Sequence, residues 1–216
     1  MRSSALLNAS TTPADELGRF QKRRRIALAV LTCVVLAGLL FVRSALGAGD
    51  TVHEYVEAAG GALILAAILG RTWCTLYIGG RKSAEIVTGG PYSVTRNPLY
   101  VFSAIGAAGI GAMTGSMTVA AGFAILTYVA FHYVILVEEE YLEHTFGEPY
   151  RQYMRTVPRF FPRVGLFRES EMLSVRPRLL YRTFRDGLLF LAAYPFFELV
   201  EYLQDAGVLP VLLHLY

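Results

Sequence analysis

Long apolar stretches joined by short charged connections constrain this chain more than any other feature. They run from Ile26 to Val42, Ala58 to Ile78, Pro98 to about Met113, and Met117 to Val137. A fifth, from Gly187 to Leu203, carries Pro195, Glu198 and Glu201. About 20 helical residues cross the hydrocarbon core of a bilayer, and only helices or closed barrels satisfy their backbone there. Charged residues make up 17% of the chain, where a soluble domain carries about a quarter. The expected fold is therefore all-α: a polytopic membrane protein of about five transmembrane helices. Its expected divisions are a tail over 1–24, two helices over 25–85, a core over 86–165, and a segment with the last helix over 166–216.

Local signals refine that outline. Lys22-Arg23-Arg24-Arg25 before the first stretch follows the grammar of a signal peptide. The length of the run and the helices after it favour a retained span. Gly60, Gly61 and Gly70 in the second stretch let helices approach closely. Arg71 and Trp73 mark its boundary, where an Arg snorkels and a Trp anchors. Pro98 suits a first helical turn, where a missing N–H costs nothing, and the third helix is short, about 24 Å. Gly115-Ser116 turns it into the fourth, making a helical hairpin. The glycine-rich Gly106–Gly111 follows no strand, so it reads as helix packing and not as a nucleotide loop. Gly187–Leu203 is either a span or a re-entrant segment, and Val208–Leu213 is expected at the interface. Cys33 and Cys74 fall in apolar stretches and suggest no disulfide framework.

Basic residues set an orientation. Six lie in the tail through Arg25, four from Arg71 to Arg96 and nine from Arg151 to Arg185, against one at residues 43–57. Five spans place 19 of the 20 on one side, which the positive-inside rule makes cytoplasmic. The expected location is the inner membrane with a cytoplasmic N-terminus. The basic, aromatic-rich stretch Arg151–Arg185 suits anionic lipid headgroups better than nucleic acid.

Two polar motifs flank the hairpin on that side. The first is Gly89-Gly90-Pro91-Tyr92-Ser93-Val94-Thr95-Arg96-Asn97-Pro98-Leu99-Tyr100. The second is Glu138-Glu139-Glu140-Tyr141-Leu142, then Phe146-Gly147-Glu148-Pro149-Tyr150-Arg151-Gln152-Tyr153 and Val157-Pro158. Ionisable groups at a membrane boundary usually mark a site. The Arg96 guanidinium can hold a carboxylate with two parallel hydrogen bonds. Three successive glutamates fan over about 200° of a helix, so at least one must face the bundle. Acids at a helix C-terminus oppose its dipole, so either the helix continues or the acids have cationic partners. No His/Cys cluster has metal-ligand spacing, and no nucleophile motif is present. His53 and His144 read as solvated or interfacial, and His214 as lying near the far face.

Over residues 89 to 162 the order and spacing resemble the integral-membrane family of isoprenylcysteine carboxyl methyltransferases and phospholipid methyltransferases. The resemblance implies S-adenosylmethionine as cofactor. It implies that Gly90, Pro91, Tyr92, Arg96, Asn97, Pro98 and Tyr100 form the first half of the cofactor site. Glu138 and Glu139 correspond to the family's acidic pair, and Leu142, Phe146, Gly147 and Tyr150 to its following turn and helix. Asn97 stands where the family usually has His, so that position can carry neither charge nor metal. Relatives acting on prenylcysteine carry an Arg about five residues before the acidic pair. This chain reads Ala130-Phe131-His132-Tyr133-Val134 there, which leaves His132 as a proton acceptor or as a packing residue. The implied chemistry is in-line methyl transfer, with Arg96, Glu139 and His132 as candidate catalytic residues. The acceptor would be lipophilic and enter from the bilayer: a prenylcysteine-like carboxylate, a lipid or a thiol. Two other readings stand beside it: an NADPH-dependent reductase of the sterol reductase type, and a membrane scaffold or lipid-binding protein whose charges only anchor it.

Overall fold

The computed structural model describes residues 26, 30, 34–45, 50–81 and 84–216. The expected tail, its basic cluster and residues 27–29 and 31–33 of the first expected span lie outside the described residues. Residues 34–39 are helical, and the chain leaves the helix before Val42. There it forms strand β1 (Val42–Ser44), paired in parallel with β2 (Leu213–Leu215) near the C-terminus. Apart from this short pair the regular elements of the described chain are helices.

Helix α1 (Thr51–Ile78) starts at Asp50, whose carboxylate accepts the Val52 N–H at 2.9 Å, an N-cap that satisfies an otherwise orphaned donor. It begins seven residues before the expected Ala58. A single turn, α2 (Pro91–Val94), precedes α3 (Pro98–Ala112), which has Pro98 in its first turn as expected. Gly115 turns the chain at φ 65°. Ser116 then caps α4 (Met117–Phe146) by accepting the Val119 N–H. α5 (Glu148–Thr156) follows at Gly147, which sits at φ 62°.

The seam between α1 and α3 is made of small residues. A Cβ on Gly109 would stand 2.8 Å from the Gly60 carbonyl oxygen, and one on Gly60 would stand 2.8 Å from that of Gly109. The Phe102 ring lies directly over Gly70. The glycine-rich stretch of α3 is thus a packing surface. α4 closes against the other face of α3.

The C-terminal stretch is broken into α6 (Pro177–Leu188), a short 3-10 turn (Leu189–Ala192) and α7 (Ala193–Asp205). These run antiparallel beside α1. Thr183 meets Thr75 near one end, Gly187 packs on Ile68, and Glu201 reaches His53 at the other end.

Two described helices, α1 and α4, are long and apolar enough to cross a membrane. α4 has mean hydropathy 2.0, yet only 17% of its apolar window is buried. Ile125, Val129 and Tyr133 stand exposed along it. A soluble protein would cover such a face, and the hydrocarbon of a bilayer suits it. The protein is therefore mostly helical and membrane-associated.

Candidate functional site

The two motifs meet where α1 ends, α3 begins and α4 leaves its apolar run. Helix α4 does not stop at Val137 but continues two turns beyond the glutamates. Both ways of relieving the acidic run are used: the helix goes on, and Glu139 gains cationic partners. Glu138 and Glu139 turn inward and are buried, while Glu140 is exposed.

Glu139 is the centre of a saturated node. Its Oε1 accepts from Arg96 Nε at 2.9 Å and from Asn97 Nδ2 at 3.1 Å. Its Oε2 accepts from Arg96 Nη2 at 3.1 Å and from Arg159 Nε at 2.9 Å. A carboxylate offers about four acceptor positions, and all four are occupied. Arg96 also donates from Nη1 to the carbonyls of Met154 at 2.6 Å and Val157 at 2.9 Å. That leaves one of its five N–H groups for anything else. The node thus ties the start of α3 to α4 and to the end of α5. Asn97 adds a bond from its amide to the Arg159 carbonyl. An amide donates twice in a fixed plane, which this position uses fully.

The segment after α5 straps the node down. Arg96 N–H donates to the Pro158 carbonyl and Arg163 N–H to that of Val94. The Thr95 hydroxyl lies within hydrogen-bond reach of the Arg159 and Phe160 carbonyls. Gly90, at φ 57°, has the Tyr77 ring against the place a Cβ would take. Only glycine fits both the backbone and that contact.

Beside the node lies a cleft of about 90 Å³. Of the expected cofactor residues, Tyr92, Arg96, Asn97, Tyr100, Glu138, Glu139 and Tyr150 line it. Gly90, Pro91 and Pro98 are not among its lining residues; Pro91 and Pro98 are fully buried and shape the two helix starts behind it. The structure does not bring His132 there: it lies part-buried on α4, its ring 5.9 Å from that of Tyr128. Sequence reasoning missed Arg159, which lies in an irregular segment without periodicity. It also missed the wall formed by Ile78 and residues 85–87. His53, expected to be solvated or interfacial, is buried at 3% exposure. Its neighbours are Glu57, one helical turn on, and Glu201, which comes from the far end of the sequence, where spacing carries no signal.

Burial pushes the Tyr92 phenol well above its usual range, helped by Cys74, Tyr153, Tyr100 and Glu138 nearby. Burial, then the Glu139 charge, does the same to Tyr150, and burial then Tyr150 to Tyr153. All three are neutral hydroxyls at physiological pH, not bases. Tyr153 donates to the Tyr92 carbonyl at 2.6 Å. The Tyr92 hydroxyl is buried with no partner among the described residues. A buried polar group without a partner costs about 1–3 kcal/mol, and this one belongs to a residue that lines the cleft. Tyrosine faces beside the buried acid Glu138 are the surroundings that an organic cation prefers.

The family described as phospholipid methyltransferase matches residues 58–149, a span that contains the hairpin and most of the cleft. The cobalt-zinc-cadmium resistance protein CzcN of Cupriavidus metallidurans is 38% identical over 194 residues, 89% of each chain. The nickel-cobalt-cadmium resistance protein NccN of Alcaligenes xylosoxydans xylosoxydans is 37% identical, over 94% of this chain and 97% of its own. The protein-S-isoprenylcysteine O-methyltransferase of Schizosaccharomyces pombe is 35% identical over 81 residues, 38% of this chain and 34% of its own. No solved structure matches.

Proposed function

From the premise that this chain belongs to the family of phospholipid methyltransferases and isoprenylcysteine carboxyl methyltransferases, we propose that it transfers a methyl group from S-adenosylmethionine to a lipophilic acceptor. The observation that carries this reading is the tyrosine-lined cleft with buried Glu138 and the partnerless Tyr92 hydroxyl, set against the Arg96–Glu139 node. These residues fit the cofactor: Glu138 and the rings of Tyr92, Tyr100 and Tyr150 suit its cationic part, and the Tyr92 hydroxyl gives a hydrogen bond. The cofactor supplies a methyl group already activated on a sulfonium.

What this chain supplies is placement and charge complementarity. Orienting two reactants contributes on the order of 7–11 kcal/mol in favourable cases. Glu139 has no free lone pair and so acts by holding Arg96, Asn97 and Arg159 in place. Glu138 and the tyrosines line the surface where positive charge is held and then moves.

A second cavity, of about 310 Å³, suits the acceptor. It is lined mainly by apolar side chains of α1, α3 and α4, with Arg71, Ser103 and Thr127 as its polar groups. The Tyr100 ring, on the cofactor cleft, packs 4.7 Å from the Phe131 ring, which lines this cavity. An acceptor chain lying there places its reactive end toward Tyr100. The Arg absent from residues 130–134 has a counterpart in Arg71, which comes from a different helix. This favours an anionic end on the acceptor. Five spans with the cleft facing the cytoplasm complete the reading. The two long relatives are named as metal-resistance proteins, which supports a role for the reaction in metal resistance.

Calorimetric titration of the detergent-purified protein with S-adenosylhomocysteine, and separately with NADPH, tests this. Saturable binding of the former alone is expected. Binding of NADPH alone moves the protein to the reductases, and binding of neither by folded protein leaves the scaffold reading.

A further inference from the structure

At the opposite end of α1 from the cleft, one buried histidine faces two carboxylates. His53 Nε2 lies 3.3 Å from Glu57 Oε1 and 3.5 Å from Glu201 Oε1. One oxygen from each acid and one nitrogen from the ring all lie within 4.8 Å of one another. The group lines a cavity of about 710 Å³ whose walls also carry Glu54 and Glu198 and no Lys or Arg among the described residues. Tyr194 hydrogen-bonds Glu198 at its rim.

As a plain ion pair this arrangement is poor. A charge-assisted N–H···O bond is about 2.7–2.9 Å long, and both contacts are well beyond that. Nε2 carries at most one proton, which cannot serve two carboxylates. Nδ1 is buried and has no partner among the described residues. Four acids around one imidazole leave the cavity with excess negative charge that no described cation offsets.

A divalent metal ion on Nε2 resolves the long contacts and the excess negative charge together. Zinc–nitrogen and zinc–oxygen bonds are about 2.0–2.2 Å. The edge of a tetrahedron with such bonds is about 3.4 Å, which matches both measured separations. Imidazole with carboxylates suits zinc, cobalt or nickel and offers none of the thiolate that marks softer sites. Three protein ligands leave a further position open to the cavity. The spacing also explains the sequence: His53 and Glu57 are one helical turn apart on α1 and so share a face, while α7 delivers Glu201.

We propose that His53, Glu57 and Glu201 form a binding site for a divalent first-row transition ion, open to the side of the membrane opposite the methyl-transfer cleft. The site stands independently of the assigned activity. The full chain, purified in detergent without a polyhistidine tag and stripped with chelator, is titrated with Co²⁺ and followed by its visible ligand-field absorption. One equivalent is expected to bind with the intensified spectrum of a low-coordinate ion, and Zn²⁺ is expected to displace it. Glu57→Gln/Glu201→Gln, which preserves shape, is expected to weaken binding about 10-fold or more. Saturating Zn²⁺ is expected to raise the melting temperature of the wild type, a readout that does not depend on how the variant folds. Absence of Co²⁺ binding, a melting temperature indifferent to Zn²⁺, or equal binding by the folded double variant each overturns the site.

Discussion

At the residue scale, Arg96 and Glu139 do different work from what a sequence can suggest. Both were legible as candidate site residues, because charge at a membrane boundary needs a reason. Their partners were not legible. An Arg next to an expected cofactor site reads as a ligand contact, yet four of its five donors go to Glu139 and two carbonyls. Removing one member of a buried pair costs about 3–5 kcal/mol, because the other charge is left buried. Arg96→Ala is therefore expected to lower the melting temperature markedly as well as to lose cofactor, and a thermal melt without ligand checks it. Tyr92→Phe separates the two effects. Its hydroxyl has no partner to lose among the described residues, so the melting temperature is expected to stay level or rise. Affinity for S-adenosylhomocysteine is expected to fall up to about 10-fold, the size of one neutral hydrogen bond. Calorimetry that shows unchanged affinity would remove Tyr92 from the cofactor contacts.

At the element scale, the hairpin was legible and the C-terminal passage was not. Pro98, the Gly115-Ser116 turn and the apolar runs on either side located α3 and α4 to within a residue or two at their starts. Length was harder to read, since polar residues end an apolar run without ending a helix: α4 continues to Phe146 and α1 begins at Thr51. The break between α6 and α7 at Leu189–Ala192 precedes Pro195, whose missing N–H withdraws the bond that would return to the Leu191 carbonyl. The α1–α3 seam is where an element-scale test is sharpest. Gly109→Val puts side-chain atoms where the Gly60 carbonyl already stands. Overpacking of that kind typically costs about 1–3 kcal/mol. Gly122→Ala on α4 meets nothing within 4 Å and gains up to about 1 kcal/mol of helix propensity. Detergent melts are expected to fall for the first and hold or rise for the second. Equal behaviour would mean that the glycines of α3 do not set the approach of the two helices.

At the scale of the whole molecule, the two ends of the bundle carry opposite chemistry. The Arg96–Glu139 end gathers the basic segment from Arg151 to Arg185, while the His53 end is acidic around its cavity. Charge asymmetry of this kind orients a membrane protein, and in the proposed reading the cleft faces the cytoplasm and its soluble cofactor. The orientation requires α6, the 3-10 turn and α7 to cross from one side to the other. Their contacts with α1 run from Thr75 to His53 and support a crossing over a re-entrant loop. Single cysteines at two exposed positions, Glu171→Cys before α6 and Ala206→Cys after α7, decide this. The background would be Cys33→Ala/Cys74→Ala, with Cys74 buried in the native protein. In intact cells, a membrane-impermeant maleimide is expected to label position 206 and to reach position 171 only after lysis. Labelling of both from one side would make the C-terminal passage re-entrant. The cleft and the His53 cavity would then have to be assigned to the two sides of the membrane on other grounds.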